Sequence, residues 1–170
     1  MSWSDAPGRR RLLRAAAGSA AAALLAGCGF RLRQTPPLPF DRLALRGFAP
    51  RSPLAEELAR ALTPSVRLTT DQASAQVVLE SLAEARERSV VGQTSSAQVR
   101  DIQLRLRFQF RARTPAGREL IPATTLLLAR DMSYTETAAL AKELEEADLF
   151  REMQADIAAQ VMRRLATVRL

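Results

Sequence analysis

The stretch from Val99 to Arg113 leaves the backbone little choice. Ile102, Leu104, Leu106, Phe108 and Phe110 alternate with Asp101, Gln103, Arg105, Arg107, Gln109 and Arg111. Successive side chains point to opposite sides only in a strand, so this segment predicts a β-strand with one buried face and one wet face. Such a strand cannot bury its apolar face alone. It needs neighbouring strands and a covering layer.

The flanking segments supply both. Arg42 to Phe48 reads as a short strand, with Leu43 and Leu45 on one face and Gly47 closing it. Ser52 as N-cap, Pro53 at the first helical position, and Glu56 and Glu57 in the early turns predict a helix. Leu54, Leu58, Ala61 and Leu62 form its apolar stripe, and Thr63-Pro64 stops it. Val66 to Leu68 suits a small strand. Ala75 to Val91 predicts a long one, apolar at Val77, Val78 and Leu79, polar by Glu84, and running to a turn near Gly92 to Ser96. Thr114-Pro115-Ala116-Gly117 has the chemistry of a hairpin turn, and Glu119 to Tyr134 supplies the returning strand around Leu126, Leu127 and Leu128. From about residue 138 to 166 the spacing changes to threes and fours. Leu140, Leu144, Ala147, Phe150, Met153, Ile157, Val161 and Leu165 form one helical stripe. Acids early and Arg163 and Arg164 late suit the helix dipole, and the length leaves room for a bend near Glu146 to Leu149. The expected fold class is α+β: a two-layer sandwich with two helices on one face of a mixed, roughly four-stranded sheet, in the order β-α-β-β-β-α.

Composition narrows the chemistry. The 170 residues include no histidine and one cysteine. A Ser-His-Asp triad, a Cys-His pair and every His-containing metal site are therefore impossible in this chain. Cys-only zinc sites, internal disulfides and CxxC redox chemistry are excluded too. Carboxylate or lysine chemistry remains, but no Asp/Glu pair sits in the Gly- or aromatic-rich context that sugar cleavage favours. The expectation is a non-enzyme without cofactor or metal.

The N-terminus explains the lone cysteine. Arg9, Arg10, Arg11 and Arg14 precede an uncharged run, Ala15 to Ala26, of 12 apolar or small residues. That is too short for the ~20 residues of a membrane-spanning helix and right for a signal-peptide core. The run ends in Leu25-Ala26-Gly27-Cys28, which resembles the lipobox of bacterial lipoproteins. The resemblance implies cleavage before Cys28 and acylation of that residue, and Gly29 resembles the outer-membrane class of such proteins. Arg9-Arg10-Arg11-Leu12-Leu13 fits either an arginine-rich Sec signal or a twin-arginine signal. The expected organisation is residues 1–27 as signal peptide, 28–40 as lipidated Cys28 and Pro-rich tether, and 41–170 as the folded domain. The tether carries Gln34-Thr35-Pro36-Pro37-Leu38-Pro39, and twelve residues of it reach at most about 40 Å. The chain's formal charge of +7 includes four signal-segment arginines and Asp5, so the mature form carries about +4. Nucleic-acid binding loses its main support.

Beyond the lipobox, the chain resembles the LptE family of LPS-assembly lipoproteins. The matching residues are Leu25-Ala26-Gly27-Cys28-Gly29-Phe30-Arg31-Leu32-Arg33, then Ala139-Leu140-Ala141-Lys142-Glu143-Leu144-Glu145-Glu146, followed by Leu149, Met153, Asp156, Gln160 and Arg164-Leu165. The element order between them agrees. The resemblance implies a domain that plugs the LptD β-barrel of the outer membrane one to one and helps it assemble. It also implies that the domain binds lipopolysaccharide during insertion into the outer leaflet. With no energy source in the chain, such a protein binds, positions or excludes.

Candidate contacts follow from that resemblance. Arg105, Arg107, Arg111 and Arg113 share one strand face. They read as a patch for lipid A phosphates, which the guanidinium fork grips bidentately, or as a solvated face or one lining a barrel wall. Lys142, the sole lysine, reads as a lipopolysaccharide contact or as a helix-surface residue paired with Glu146 at i+4. The alternative function is an accessory lipoprotein of another envelope lipid-transport machine.

Overall fold

A computed structural model describes residues 37–96 and 98–170. Cys28, the signal segment and most of the tether lie outside the described residues. The elements are β1 (Arg42–Arg46), α1 (Pro53–Leu62), β2 (Arg67–Leu68), β3 (Val77–Gln93), β4 (Val99–Arg113), β5 (Glu119–Ser133), a 3-10 turn (Glu136–Ala138) and α2 (Ala139–Leu165). The five strands form one mixed sheet in the order β2-β1-β3-β4-β5. β1 runs parallel to both its neighbours, and β3, β4 and β5 form an antiparallel meander. The sheet thus has one strand more than the four expected. The extra one is β2, the small strand that Val66 to Leu68 suits, whose two residues pair Arg42 with Arg67 and Leu43 with Leu68.

β4 buries Ile102, Leu104, Leu106, Phe108 and Phe110 completely and leaves Arg105, Arg107 and Arg111 exposed. Its buried face meets Leu54, Leu58 and Leu62 of α1 and Met153, Ile157, Val161 and Leu165 of α2 in one core. Both helices therefore cover the same side of the sheet, the expected two layers. Phe108 sits between Phe48 and Phe110, with ring centroids 5.8 and 5.3 Å away. Ala44 and Val78, partners in the β1–β3 register, point to the other side and are buried with Ala75 of the preceding loop. That end of the sheet is covered on both faces.

Local chemistry sets the boundaries. The Ser52 hydroxyl accepts the Ala55 N–H at 3.0 Å and Pro53 opens α1, while the Thr63 hydroxyl donates to the Ala59 carbonyl at 2.7 Å where the helix ends. Gly47 has φ +77°, and a Cβ there would collide with the Ser81 carbonyl oxygen of β3. The β4–β5 turn closes with the Thr114 N–H on the Arg118 carbonyl at 2.8 Å and Gly117 at φ +93°.

α2 is continuous, and its packing departs from expectation. Its 27 residues are one unbroken helix, about 40 Å long at 1.5 Å per residue, with no interruption near Glu146 to Leu149. The apolar stripe is buried only from Phe150 onward; Leu140 and Leu144 are 73% and 65% exposed. On the matching side of β3 stand Arg86 and Arg88, register partners of the core residues Leu106 and Leu104. They offer the first turns of α2 no apolar surface to pack against.

Candidate functional site

The structure separates the four candidate contacts into two places. Arg105, Arg107 and Arg111 lie with Arg113 on the sheet face away from the helices, as the alternation requires. Each has a different environment. Glu80 of β3 receives Arg111 through Nε at 2.6 Å and Arg113 through Nε at 2.7 Å, one on each carboxylate oxygen. The hydrogen bond from Arg113, opposed by burial and reinforced by that from Arg111 and by the two charges, holds the Glu80 carboxyl below the usual carboxylate range. Arg111 is therefore occupied. Arg105 donates to the Gln103 side-chain oxygen at 2.7 Å, and Gln103 in turn donates to Asp131 of β5 at 2.9 Å. Arg107 forms no ion pair among the described residues. Its register partners are Ala85 and Leu127, and Leu127 is 53% exposed. The middle of this open face is one unpaired guanidinium beside an exposed leucine.

Lys142 stands on the other side, in a cleft of about 640 Å³ between β3 and the first turns of α2. The cleft is lined by Arg86, Arg88 and Lys142, by Glu87, Glu143 and Glu146, and by the rings of Tyr134 and Phe150. The Arg86 guanidinium carbon lies 5.2 Å from the centre of the Phe150 ring, and that of Arg88 lies 5.7 Å from Tyr134, both within cation–π range. Arg88 pairs with Glu146 at 3.2 Å. Lys142 does not take Glu146 as its i+4 partner. It bonds Glu145 at 2.7 Å and the Ser133 hydroxyl, at the end of β5, at 3.2 Å. The Lys142 side chain is mostly covered, 17% of it exposed.

Arg86, Arg88 and Tyr134 were not singled out among the candidate contacts by reading the sequence. A signal for the arginines was present. They occupy the helix-facing positions of β3, where the strand's apolar side should continue, and charged residues at core positions mark an opening in the core. The cleft brings cations, carboxylates and two arginine-covered rings together at one opening. A larger cleft of about 870 Å³ lies at the β2 edge beside Asp41, Arg42, Arg67 and Gln76. There Gln76 already spends its side-chain oxygen on the Asp41 and Arg42 N–H groups. Among the described residues, no group of three or more His, Cys, Asp or Glu side chains is placed to hold a metal.

This sheet-and-helix architecture recurs in solved bacterial lipoproteins. A lipoprotein B from Nitrosomonas europaea superposes with a TM-score of 0.68 at 25% identity, over 81% of this chain and 90% of that one. A rare lipoprotein B from Shewanella oneidensis gives 0.64 at 22% identity, over 75% and 95%. More specifically, residues 40–165 match the lipopolysaccharide-assembly family LptE, and the chain belongs to that family. A relative, the LPS-assembly lipoprotein LptE of Pectobacterium atrosepticum, is 29% identical over 149 residues, spanning 85% of this chain and 80% of its own length. The fold and the family thus agree with the resemblance carried by the sequence motifs, and the chain's role lies in lipopolysaccharide assembly.

Proposed function

We propose that this chain is an outer-membrane lipoprotein that plugs the LptD β-barrel, helps it assemble, and takes part in lipopolysaccharide binding and insertion into the outer leaflet. The observation that carries this reading is the family match across residues 40–165, nearly the whole of the domain expected at 41–170. Residues 1–27 direct export. Cys28 carries the acyl chains, and residues 28–40 tether the domain to the membrane. Each buried CH₂ of an acyl chain adds ~0.8 kcal/mol, so several chains hold firmly. A domain tethered at the membrane meets a membrane barrel at high effective concentration.

The two faces suit the two tasks. A large barrel encloses a polar, watery lumen, and the open face around Arg105 and Arg107 is polar. Lys142, with Arg86 and Arg88, supplies cations for the phosphates of lipopolysaccharide. Arg111 contributes to the open face only through its pairing with Glu80. The chain acts by binding and positioning, not by catalysis.

Depletion tests the reading in cells. Surface lipopolysaccharide should fall, large antibiotics should enter, and barrel protein should accumulate in a misassembled form. Normal surface lipopolysaccharide after depletion would contradict it.

A further inference from the structure

The cleft at the β2 edge lies where β1, β2 and β3 begin and α1 ends, at the other end of the sheet from Lys142. Arg42 and Arg67 are register partners on neighbouring parallel strands, so their side chains leave the sheet side by side. Both are exposed, and neither forms an ion pair among the described residues. Like charges so placed oppose each other. The Gln76 N–H donates to the Arg42 carbonyl at 3.0 Å, which sets Gln76 beside Arg42. Its side-chain oxygen accepts the Asp41 and Arg42 N–H groups at 2.7 and 3.1 Å, leaving its amide nitrogen to donate. Asp41 is the one acid among the described residues lining the cleft, and it pairs with neither arginine. Two guanidinium forks and an amide donor thus stand against a single carboxylate. The same cleft adjoins the tether. Asp41 and Arg42 follow it directly, and the thirteen residues from Cys28 to Asp41 span at most about 45 Å.

We infer that Arg42 and Arg67 hold the phosphodiester of an anionic phospholipid from the leaflet in which the acyl chains of Cys28 are buried. The inference rests on the reading of Cys28 as the lipid anchor. A phosphodiester offers two non-bridging oxygens, one to each guanidinium, and the planar fork suits that geometry. Its negative charge, set between the two arginines, offsets their mutual repulsion. The Gln76 amide adds a neutral donor beside them. A phospholipid is the occupant rather than a dissolved phosphate because the tether keeps the cleft within reach of a surface made of such headgroups, which raises their effective concentration. The domain so gains an electrostatic foothold next to its covalent one. The Lys142 cleft plays no part in it: Arg86 stands ten residues beyond Gln76 along the chain, about 30 Å further up β3.

Native mass spectrometry of the full acylated chain, released from detergent with added phosphatidylglycerol or phosphatidylcholine, provides the test. The intact mass reports acylation in the same spectra. Wild type should bind phosphatidylglycerol at lower concentration than phosphatidylcholine. Arg42→Gln and Arg67→Gln should each weaken phosphatidylglycerol binding about fivefold, the worth of one basic residue at an anionic membrane surface, and the double variant should lose more. Arg42→Lys with Arg67→Lys keeps the charge without the forks and should retain only part of the binding; full retention would overturn the bidentate grip. A control, Arg51→Gln with Arg151→Gln, removes the same charge at two exposed positions outside the cleft and should bind as wild type does. Inorganic phosphate in large excess should leave the lipid bound; displacement would overturn the headgroup assignment in favour of a free-anion site. Equal loss in the control, or undiminished binding by the double glutamine variant of an acylated chain, would overturn the site and leave the anchor standing. A chain recovered without acyl groups would remove the anchor and the inference together.

Discussion

Glu80 illustrates how a single residue organises a charged face. It accepts Arg111 and Arg113 on separate oxygens, and 15% of its side chain is exposed. Its carboxyl is held below the usual range chiefly by the Arg113 hydrogen bond, against the opposing effect of burial. A carboxyl depressed in the folded state adds stability that is complete above its unfolded value, near 4.5. That stability is lost as pH falls through the lower folded value. Glu80→Gln should therefore cost about 1.5–3 kcal/mol at neutral pH, the scale of a hydrogen bond to a charged group, and less below pH 4. Chemical denaturation at pH 7 and pH 3 checks both points; an equal cost at the two pH values would contradict the assignment. Alternation made the shared face of Arg105, Arg107, Arg111 and Arg113 legible in the sequence. The shared partner of Arg111 and Arg113 was not, because Glu80 lies more than thirty residues away and meets them only through the β3–β4 register.

At the scale of elements, the strongest local signals translated into the structure almost residue for residue. β4 spans Val99–Arg113 as the alternation requires, and α1 begins at Pro53 behind its Ser52 cap. Where the sequence misled, packing rather than propensity decided. Leu140 and Leu144 fit the helical stripe, yet the strand opposite presents Arg86 and Arg88, so those turns border a cleft. Ser52 connects two scales: its hydroxyl accepts the Ala55 N–H and donates to the Glu84 carboxylate of β3 at 2.7 Å. Ser52→Ala should destabilise the domain by about 1–2 kcal/mol, because it removes the cap and leaves Glu84 without that donor. Thermal or urea unfolding reads this directly. A change below about 0.3 kcal/mol would mean that the cap carries no stability. Ser52→Thr, which keeps the hydroxyl, should recover most of the loss.

The whole molecule has two chemically distinct sides. Helices close one side of the sheet except at the Lys142 cleft, and arginines and small residues occupy the other. Arg107 and Leu127 sit at the centre of that open face, where a partner surface would meet them first. Arg107→Glu should weaken capture of the barrel while leaving the fold intact, since its side chain is exposed and pairs with no described residue. Circular dichroism confirms the fold, and the yield of co-purified barrel reads the interaction; full capture by a folded variant would move the contact elsewhere. The family and its fold were legible in the sequence because the lipobox-linked motif and the α2 motif are local. The cleft was not, since it is assembled from β3, the end of β5 and α2, segments up to about sixty residues apart. The central claim, a lipid-anchored partner of the LptD barrel, is tested most directly by isolating the acylated protein from outer membranes in mild detergent and identifying by mass spectrometry what stays bound. A β-barrel of LptD size in roughly one-to-one amount is the predicted result. Recovery with no barrel, or with an ATPase-linked transport complex in its place, would contradict the account.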